Sequence, residues 1–288
     1  MACPLCGEKE SRPSWLGCFR FEGGEYPYVE CASCFSLYAA RMPDEAELSR
    51  MYGVAYAVHA GKGEGLRDPK DPASVVEFLA RLPRGTFIDY GCGDGSLLVK
   101  TRSLGWKSLG VEFDPEVARQ AAHRTGIDIH DRWSVESLAD GIADVLHLGD
   151  VVEHLTSPAT ELRRIMRLVR PGGYLVAQGP LEANPNLFTA ALKTWKRLAG
   201  RSHSDMPPYH VLLATKAGQE ALFNRIGLKT ERFAITEVEW PAPNRLGVTD
   251  LLKLRRVALF LLRRTSQACS RFRQQEWGNR YFYIGQVA

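Results

Sequence analysis

Four cysteines near the start of the chain have the spacing of a metal site. They form two pairs, Cys3-x2-Cys6 and Cys31-x2-Cys34, and the pairs lie 25 residues apart. Two such pairs joined by a loop are typical of a zinc ribbon, in which each pair sits on a tight turn and four thiolates complete a tetrahedron. Disulfides are disfavoured in a reducing compartment. The sequence therefore predicts a Zn²⁺ ion held by these four thiolates.

The predicted zinc is expected to be structural. A catalytic zinc keeps an open position and usually has fewer thiolate ligands. A segment this short has little core of its own and depends on its metal to fold. Residues 1–40 carry three basic and five acidic side chains, a net charge of −2. That is the wrong sign for a ribbon that binds a phosphate backbone.

A glycine-rich turn follows a strongly apolar strand in the larger part of the chain. It reads DYGCGDGS from Asp89 to Ser96, and a helical pattern begins at once. Its glycines are Gly91, Gly93 and Gly95. Glycines permit a sharp turn and let a ligand approach the backbone. The next strand ends at Glu112, and the ends of these two strands are neighbours in a doubly wound sheet. We therefore expect Glu112 to bind the ribose hydroxyls of an adenosine ligand, the alternative being a solvated acid at a strand end.

The elements that must position this turn alternate between strand and helix. Strands are predicted at 86–90, 106–112, 127–130, 143–148, 174–178, 228–238 and 281–287, and helices at 45–51, 74–82, 96–104, 115–124, 158–169, 186–198 and 216–226. Asp114 as a cap and Pro115 at the first position open one of these helices. The alternation from residue 71 onward demands a parallel sheet with helices on both faces. The predicted fold class is α/β, a doubly wound, Rossmann-like sheet with a small N-terminal zinc ribbon.

The composition is that of a globular protein. Of 288 residues, 45% are hydrophobic and 24% are charged, and the chain is long enough to bury a sizeable core. The longest apolar run, 257–262, is far shorter than the ~20 residues that span a bilayer, and the first residues do not resemble a signal peptide. We expect a cytoplasmic protein with a zinc ribbon at 1–42, a linker or lid at 43–72, and a domain at 73–288 with a basic helical insertion at about 245–275.

Positive charge is concentrated towards the end of the sequence. Residues 251–288 contain eight basic side chains and one acid, whereas the whole chain has a net charge of only +4. Within 251–273 the cations alternate with leucines and other apolar residues, as in helices that lie on anionic membrane surfaces. Two other interpretations stay open, an insertion packed on the sheet with its arginines in water, and an RNA contact.

Taken together, the motifs resemble those of the class I S-adenosylmethionine-dependent methyltransferases. The turn at 89–95 matches the family's D-x-G-x-G-x-G, and GVEFD at 110–114 matches its G-V-E-x-D. ADVLHLGDVVEHL at 143–155 is similar to its fourth strand with the E-H-L that follows, and RLVRPGGYL at 167–175 to the approach to its fifth strand. The resemblance covers about residues 74–180. It implies a seven-stranded sheet that binds S-adenosylmethionine.

The resemblance implies roles for individual residues. The acid that opens the turn would help hold the cationic methionine end, and the adenine would lie against residues 133–135. Trp133 would serve equally well as core, and Asp150 is expected either to bind cofactor or substrate or to cap a turn. Cofactor contacts are predicted at Asp89, Gly91, Gly93, Gly95, Glu112, Trp133, Ser134, Val135, Asp150 and, from the lid, Tyr56.

Methyl transfer to a hydroxyl also needs a positioned base. His154 follows the fourth strand, and His210 lies in a PPYH segment expected to cover the same opening, so both are candidates. Each also has a structural explanation, His154 as a residue bonded to backbone at a helix start and His210 as a loop residue against Tyr209. Relatives with a similar ribbon often act on sugars, glycans or secondary metabolites. The resemblance thus implies O-methylation of a small or glycan-like acceptor, lipid-linked if the basic segment meets a membrane.

Two other functions stay open. An RNA methyltransferase would use the ribbon or the basic helix to hold RNA, although the acidic ribbon argues against a nucleic-acid partner. Residues 149–152 also lack the Asn/Asp-Pro-Pro-aromatic sequence of many enzymes that methylate amino groups. A non-catalytic module would bind S-adenosylmethionine without turnover. A nicotinamide dehydrogenase is disfavoured by Ser96 in place of the sixth-position glycine.

Overall fold

The computed structural model describes residues 1–51, 72–131, 134–200, 203–238, 246–247, 250, 252–273 and 275–288. In chain order the strands are β1 (Ser11–Phe21), β2 (Gly24–Cys31), β3 (Leu37–Ala39), β4 (Thr86–Tyr90), β5 (Lys107–Glu112), β6 (Ile129–Asp131), β7 (Ala143–Gly149), β8 (Val169–Pro180), β9 (His203–Ser204), β10 (Leu212–Leu213), β11 (Leu228–Thr236) and β12 (Arg280–Val287). The helices are α1 (Glu45–Met51), α2 (Pro72–Ala80), α3 (Ser96–Ser103), α4 (Pro115–Thr125), α5 (Pro158–Met166), α6 (Leu187–Ala199), α7 (Lys216–Arg225) and α8 (Leu254–Phe272).

A seven-stranded sheet forms the centre of the molecule. Its order is β11-β12-β8-β7-β4-β5-β6. The pairs β4–β5, β4–β7, β5–β6 and β7–β8 are parallel, whereas β12 runs antiparallel to both β8 and β11. The predicted α/β fold class is therefore confirmed. The carboxyl ends of β4, β5, β7 and β8 meet at one edge of the sheet, which is where ligands bind in this architecture.

Helices cover both faces of this sheet, as the continuous apolar character of its strands requires. Along β4, Phe87 and Ile88 are both fully buried but belong to two different hydrophobic clusters. The Phe87 cluster includes Leu79 of α2 and Leu98 of α3, whereas the Ile88 cluster includes residues of α5 and α7. Successive side chains point to opposite faces of a strand, so two separate cores flank the sheet.

The predicted start of the fifth strand of the larger sheet differs most from the structure. The sequence predicts a turn at 171–173 followed by a short strand, but β8 runs from Val169 through that turn. Ala143 pairs with Val169 and Val145 pairs with Tyr174, so three extra residues are inserted in β8 opposite β7. Gly172 has a φ of 74°, which lets the chain bulge there without leaving the sheet.

A second sheet contains the cysteine-rich segment. Its order is β10-β3-β2-β1-β9. Strands β9 and β10 come from residues 203–213, far along the chain, and they pair with β1 and β3 respectively. A three-stranded ribbon leaves two edges unpaired, and the later segment covers both of them. The sequence did not indicate this pairing.

Helices α6 and α8 lie together beside this second sheet. Asn186 caps α6, because its side chain accepts the backbone N–H of Thr189 at 2.7 Å. Helix α8 is the predicted basic insertion between the last two strands. None of the helices in the described part of the chain combines the length and the apolar character needed to cross a bilayer.

Candidate active site

The glycine turn after β4 has the backbone conformation that its composition predicts. Gly91, Gly93 and Gly95 have φ values of 81°, 53° and 74°, in the region that glycine adopts at little cost. A Cβ at Gly91 would lie 2.6 Å from the Cγ2 atom of Val151, whereas no described atom lies within 4 Å of a Cβ built at Gly93. The turn therefore packs closely against the end of β7 and leaves its middle open to a ligand.

Glu112, at the end of β5, is joined to this turn. Its Oε2 atom accepts the backbone N–H of Gly93 at 2.7 Å, and its Oε1 atom accepts that of Phe113 at 2.7 Å. The carboxylate is half-buried. These bonds hold it at the rim of the glycine turn, which is the location expected for a ribose-binding acid.

Beneath the turn, the side chains of Asp89, His147 and Gln178 form a hydrogen-bonded row on one face of the sheet. His147 donates from Nδ1 to Asp89 Oδ1 at 2.7 Å, and its Nε2 atom lies 3.0 Å from the amide nitrogen of Gln178. All three residues are buried. Asp89 thus lies under the turn, with one oxygen bound to a histidine that is itself held at both nitrogens. His147 therefore positions Asp89.

The carboxyl end of β7 continues into a sharp turn. Asp150 has a φ of 53°, a left-handed conformation that aspartate tolerates better than most residues. Its Oδ1 atom accepts a hydrogen bond from Arg280 Nη2 at 2.6 Å, so a strand-end arginine of β12 fixes it. No sequence motif indicated a role for Arg280. Ser134 begins a short 3₁₀ turn after β6, while the side chain of Val135 is buried in the core.

The two candidate bases lie side by side. The ring centroids of His154 and His210 are 4.9 Å apart. His154 donates from Nδ1 to the carbonyl oxygen of Tyr209 at 2.8 Å, and His210 donates from Nδ1 to Glu182 Oε2 at 2.7 Å. In each ring Nδ1 is thus the donor, and Nε2 is the remaining nitrogen. Both rings are half-buried.

Charges around His210 make it a stronger base than an ordinary histidine. Burial by itself lowers the pKa of His210, but the charge and the hydrogen bond of the Glu182 carboxylate outweigh it and raise the net pKa to about 9. A carboxylate bonded to the distal nitrogen also fixes the ring orientation. The sequence analysis did not select Glu182. Its position just after β8, at the ligand-binding edge of the sheet, could have indicated it.

Glu153 lies behind the histidines in an apolar setting. Burial, followed by the charge of Asp150, raises its pKa to about 8. Its Oε1 atom makes no hydrogen bond to the described residues, and neither does the hydroxyl of Tyr281. Both line an enclosed space with Leu5 of the first cysteine turn. An ionised carboxylate is costly in such a place, so Glu153 is mostly protonated at neutral pH. Ligand atoms of Glu153, His154 and His210 also lie within 4.8 Å of one another.

The four predicted metal ligands converge at the start of the chain. Their sulfur atoms all lie within 4.8 Å of one another. Cys3 and Cys34 are 3.7 Å apart, and Cys6 and Cys31 are 3.5 Å apart. Zinc–sulfur bonds of 2.3 Å give a tetrahedron with edges of about 3.8 Å, whereas a disulfide would require about 2.05 Å. The donor set and its spacing fit a tetrahedral zinc ion.

The two cysteine turns have equivalent geometry. Gly7 donates its N–H to the carbonyl of Cys3 at 2.9 Å, and Phe35 donates to that of Cys31 at 3.2 Å. The φ values of Gly7 and Phe35 are 85° and 60°. Both pairs therefore form the same tight turn, although the second has no glycine at the left-handed position.

The cysteine turns dock on α7 of the larger domain. Thr215 caps this helix and donates from its hydroxyl to the carbonyl of Cys34 at 2.6 Å. Arg225, in the last turn, donates to the carbonyl of Leu5 at 2.7 Å. In addition, the hydroxyl of Tyr28 in β2 donates to the carbonyl of His210 at 2.5 Å. The ribbon thus contacts the segment that carries a candidate base.

The edge of the sheet therefore brings together most of the predicted site. From β5 to β8 it presents Glu112, the glycine turn, Asp150, His154 and, through the covering segment, His210. Tyr56, Trp133 and most of the expected lid at 43–72 lie outside the described residues. A seven-stranded sheet of this order, with a glycine turn and an acid at its first two strand ends, defines the class I S-adenosylmethionine-dependent methyltransferases.

Sequence comparison agrees with this class. The chain matches the family described as "Methyltransferase domain" over residues 66–231, which is more than half of its length. The chain belongs to that family.

Individual relatives match a smaller part of the chain. A 2-methyl-6-phytyl-1,4-hydroquinone methyltransferase of Synechocystis is 30% identical over 105 residues, which are 34% of this chain and 33% of the relative. A ubiquinone biosynthesis O-methyltransferase of Burkholderia pseudomallei is 31% identical over 109 residues, 35% of this chain and 47% of the relative. A ribosomal protein L11 methyltransferase of Photobacterium profundum is 35% identical over 102 residues, 34% of each. The chain spans less than half the length of these curated relatives.

Solved structures share the fold. The [4+2]-cyclase SpnF superposes with a TM-score of 0.52 and 14% identity, covering 85% of this chain and 97% of the cyclase. A chain from the Haloferax volcanii complex of the Trm112 methyltransferase activator with a methyltransferase gives 0.51 and 17%, covering 86% and 99% respectively. These similarities show the fold alone, and they include a cyclase, so the chemistry must be argued from the site.

Proposed function

We propose that this protein transfers a methyl group from S-adenosylmethionine to a hydroxyl of a small or glycan-like acceptor. The observation that carries the proposal is the arrangement at one sheet edge. The glycine turn and Glu112 lie at the ends of β4 and β5. His210, with its hydrogen bond to Glu182, lies near the ends of β7 and β8. The first half suits the cofactor and the second suits activation of a hydroxyl.

On the cofactor side, each residue has a part that follows from its position. When bound, S-adenosylmethionine supplies an electrophilic methyl group on a sulfonium ion. Glu112 would accept hydrogen bonds from the ribose hydroxyls, and Gly91, Gly93 and Gly95 would admit the ligand to the backbone. Asp89 would act on the positive methionine end from beneath the turn. The backbone at Ser134 and Val135 would flank the adenine, and Asp150, held by Arg280, would contact the cofactor or the acceptor at the same edge.

On the acceptor side, we assign the proton-accepting role to His210 and a positioning role to Glu182. Glu182 holds Nδ1, which leaves Nε2 as the nitrogen that can take a proton from a hydroxyl. His154 would orient the acceptor from the adjacent position. Because the pKa of His210 is about 9, the ring is protonated at neutral pH. Its activity as a base should therefore grow as pH rises.

One relative supports oxygen as the acceptor atom, because it is named for ubiquinone biosynthesis O-methylation. The names of the hydroquinone and ribosomal protein methyltransferases do not state the acceptor atom. Beyond about residue 180, on the proposed acceptor side, this chain contributes α6, β9, β10 and α8.

The first experiment is methyl transfer from labelled S-adenosylmethionine into a fractionated cell extract. The blank is protein carrying Asp89→Ala and Glu112→Ala. Label in soluble small molecules or lipid-linked glycans supports the proposal. Label in RNA overturns the acceptor class and makes the ribbon or α8 an RNA contact. Cofactor binding with no label in any fraction supports a non-catalytic module instead.

With an acceptor fraction in hand, the base is tested by pH dependence. We expect His210→Gln to lower kcat/KM by about 10²–10⁴-fold. Glu182→Gln should move the alkaline rise in rate to lower pH, because Glu182 raises the pKa of His210. A merely structural glutamate would lower the rate without moving the profile. His154→Gln is the matched variant, and the proposal fails if it abolishes the rise while His210→Gln keeps it.

A metal ion at the histidines is the alternative to a base. Ligand atoms of Glu153, His154 and His210 are close enough to share a cation. Activity that is lost on dialysis against a chelator, restored by Mg²⁺ or Zn²⁺, and insensitive to pH near 9 would favour the metal. The Cys34→Ser variant described below, which lacks the ribbon's metal, separates the two metal sites.

We also propose that Cys3, Cys6, Cys31 and Cys34 hold one structural Zn²⁺ ion. Support comes from four thiols at the edge length of a zinc tetrahedron and from two equivalent turns that present them. Metal analysis of purified protein should find one zinc per chain. Cys34→Ser or Cys3→Ser should abolish it, whereas Cys18→Ser, outside the cluster, should retain it. Full zinc content in the Cys34→Ser variant would refute the assignment.

A further inference from the structure

Helix α8 packs against the protein through its polar side. Among its described side chains, only Arg263, Ser266 and Ser270 are fully buried. Arg263 donates to Glu237 Oε1 at 2.7 Å with both side chains 1% exposed, and Ser270 also hydrogen-bonds Glu237. The Arg263 guanidinium lies 4.3 Å from the ring centre of Phe188 in α6. A buried ion pair of this kind fixes the helix in one orientation.

This orientation leaves apolar side chains in contact with solvent. Leu254 is 87% exposed, Leu261 57% and Phe272 91%, and Leu252 just before the helix is 89% exposed. An amphipathic helix of a globular domain normally turns such residues inward. In α8 the buried residues are polar, whereas Leu254, Leu261 and Phe272 are exposed and Leu259, Phe260 and Leu262 are half-buried. Among the described residues, no element covers the exposed apolar side chains.

Helix α6 extends the same apolar surface. Trp195 is 50% exposed and Leu198 is 84% exposed. A groove of about 550 Å³ opens between the two helices, lined by Leu187, Ala191, Trp195 and Leu198 of α6 and by Leu262 of α8. A contiguous exposed apolar surface of this sort marks a contact with a membrane or another macromolecule. We call it the α6–α8 face.

The charges that α8 itself contributes to this face are all positive. Residues 253–273 contain seven Lys and Arg and no acid. Arg255 and Arg271 are exposed and have no ion-pair partner in the described part of the chain. Arg256 and Lys253 share Asp250, and Arg273 pairs with Glu276. On an anionic lipid surface, the exposed leucines would contact the acyl chains and the arginines beside them would contact the phosphates.

Other occupants fit this face less well. A second copy of the chain would bring the same cations against one another, because a two-fold interface places like surfaces together. A nucleic acid would meet the arginines but would leave the leucines and Trp195 against a polar backbone. An anionic lipid surface matches both the apolar groove and its positive rim.

We propose that the α6–α8 face docks on the surface of an anionic phospholipid bilayer, with α8 lying flat on it. Leucines of α8 and the rim of the groove enter the acyl boundary, and Arg255 and Arg271 reach the phosphates. The docking does not depend on methyl transfer, so its test does not depend on the proposed enzymatic activity.

The test is co-sedimentation of the purified full chain with vesicles of phosphatidylcholine alone or with 30 mol% phosphatidylglycerol. We expect strong binding to the anionic vesicles, weak binding to the neutral ones, and weakening with salt. Arg255→Gln with Arg271→Gln should reduce the affinity about 30-fold, at about fivefold per cation. Leu254→Ser with Leu261→Ser should abolish insertion, reported by loss of the shift in tryptophan fluorescence.

Matched controls lie elsewhere on the surface. Val99→Ser removes an exposed apolar side chain of α3, and Arg81→Gln with Arg102→Gln removes two exposed cations. These variants should bind as the parent does, and thermal denaturation should confirm that every variant is folded. Equal binding by all variants, or no binding to anionic vesicles, would overturn the proposal. So would a dimer that the leucine variants dissociate, which would assign the face to a second copy.

Discussion

Three carboxyl groups at the edge of the central sheet have different surroundings, and so different tasks. Glu112 accepts backbone N–H groups at the rim of the glycine turn. Glu182 lies against an imidazole. Glu153 is sealed beside Leu5 and Tyr281. Different surroundings give neighbouring carboxyl groups different pKa values. One site can then hold both an ionised carboxylate and a protonated acid.

The role of Glu112 can be tested by removing only its charge. Glu112→Gln keeps an oxygen that accepts the N–H of Gly93 but weakens the bonds to ribose hydroxyls. We expect the affinity for S-adenosylmethionine to fall about 10- to 100-fold, the range for losing a hydrogen bond to a charged group. Isothermal titration calorimetry measures it, with Glu116→Gln on exposed α4 as the control. Unchanged affinity in a folded Glu112→Gln protein would remove the ribose assignment.

The buried acid makes a prediction about stability and pH. Burial raises the pKa of Glu153 from an ordinary 4.5 to about 8, so the folded state holds this proton more tightly than the unfolded state. Its contribution to the free energy of unfolding is complete below pH 4.5 and is lost as pH rises towards 8. His210 acts in the same direction, between pH 6.5 and about 9.

Glu153→Gln cannot ionise. The free energy of unfolding of this variant, relative to that of the parent, should therefore improve steadily from pH 5 to pH 8. Urea titrations at several pH values measure the difference. A difference that is constant with pH would show that Glu153 ionises in the folded state as readily as in water.

At the scale of the element, the β5–α4 junction shows how local sequence places a functional group. Asp114 accepts the N–H groups of Glu116 at 2.8 Å and Val117 at 3.2 Å, and Pro115 occupies the first helical position. Asp114 lies two residues after Glu112, so the start of α4 fixes where β5 ends and where Glu112 points.

Removing the Asp114 cap should measurably lower the free energy of unfolding. Asp114→Ala leaves two helix N–H groups without their acceptor and should lower the free energy of unfolding by about 1 kcal/mol. Asp114→Asn, which retains the side-chain oxygen, should lose much less. Chemical denaturation compares the three proteins. Equal losses for alanine and asparagine would mean that the charge, rather than the capping oxygen, stabilises the junction.

At the scale of the whole molecule, the cysteine ribbon is part of the scaffold for the acceptor side. Strands β9 and β10 bracket residues 205–211 and complete the ribbon's sheet. Tyr28 of β2 binds the carbonyl of His210, and Arg225 of α7 binds the first cysteine turn. The ribbon is therefore coupled to the histidine segment by backbone pairing as well as by side chains.

Removing the proposed zinc should therefore affect more than the ribbon. A metal at 1,000 times its dissociation constant stabilises the folded state by about 4 kcal/mol, which corresponds to about 8–16 °C in Tm for a domain of this size. Chelation should lower Tm by that amount in one cooperative step and reduce methyl transfer. The Cys34→Ser variant should already have the lower Tm and be unaffected by chelator. A Tm that chelation leaves unchanged would contradict the coupling.

Much of the fold could be read from local patterns. Hydrophobic periodicity and turn chemistry act over a few residues, so β4, β5 and α4 were predicted to within two residues of their bounds. The expected turn at 171–173 was the exception, because pairing with β7 carried the strand through it as a bulge. Glu112 and the glycine turn are also local, since both follow directly from where two neighbouring strands end.

By itself the sequence determined the α/β class, the cofactor-binding motif and the four-cysteine set. Only the tertiary structure decided which charges surround the histidines, because Glu182 and His210 are 28 residues apart and meet through the fold. The tertiary structure also decided that β9 and β10 pair with the ribbon, and which side of α8 faces the solvent. That side depends on the buried pair of Arg263 with Glu237, 26 residues earlier. Such contacts follow from burial shared between distant segments, which no local period encodes.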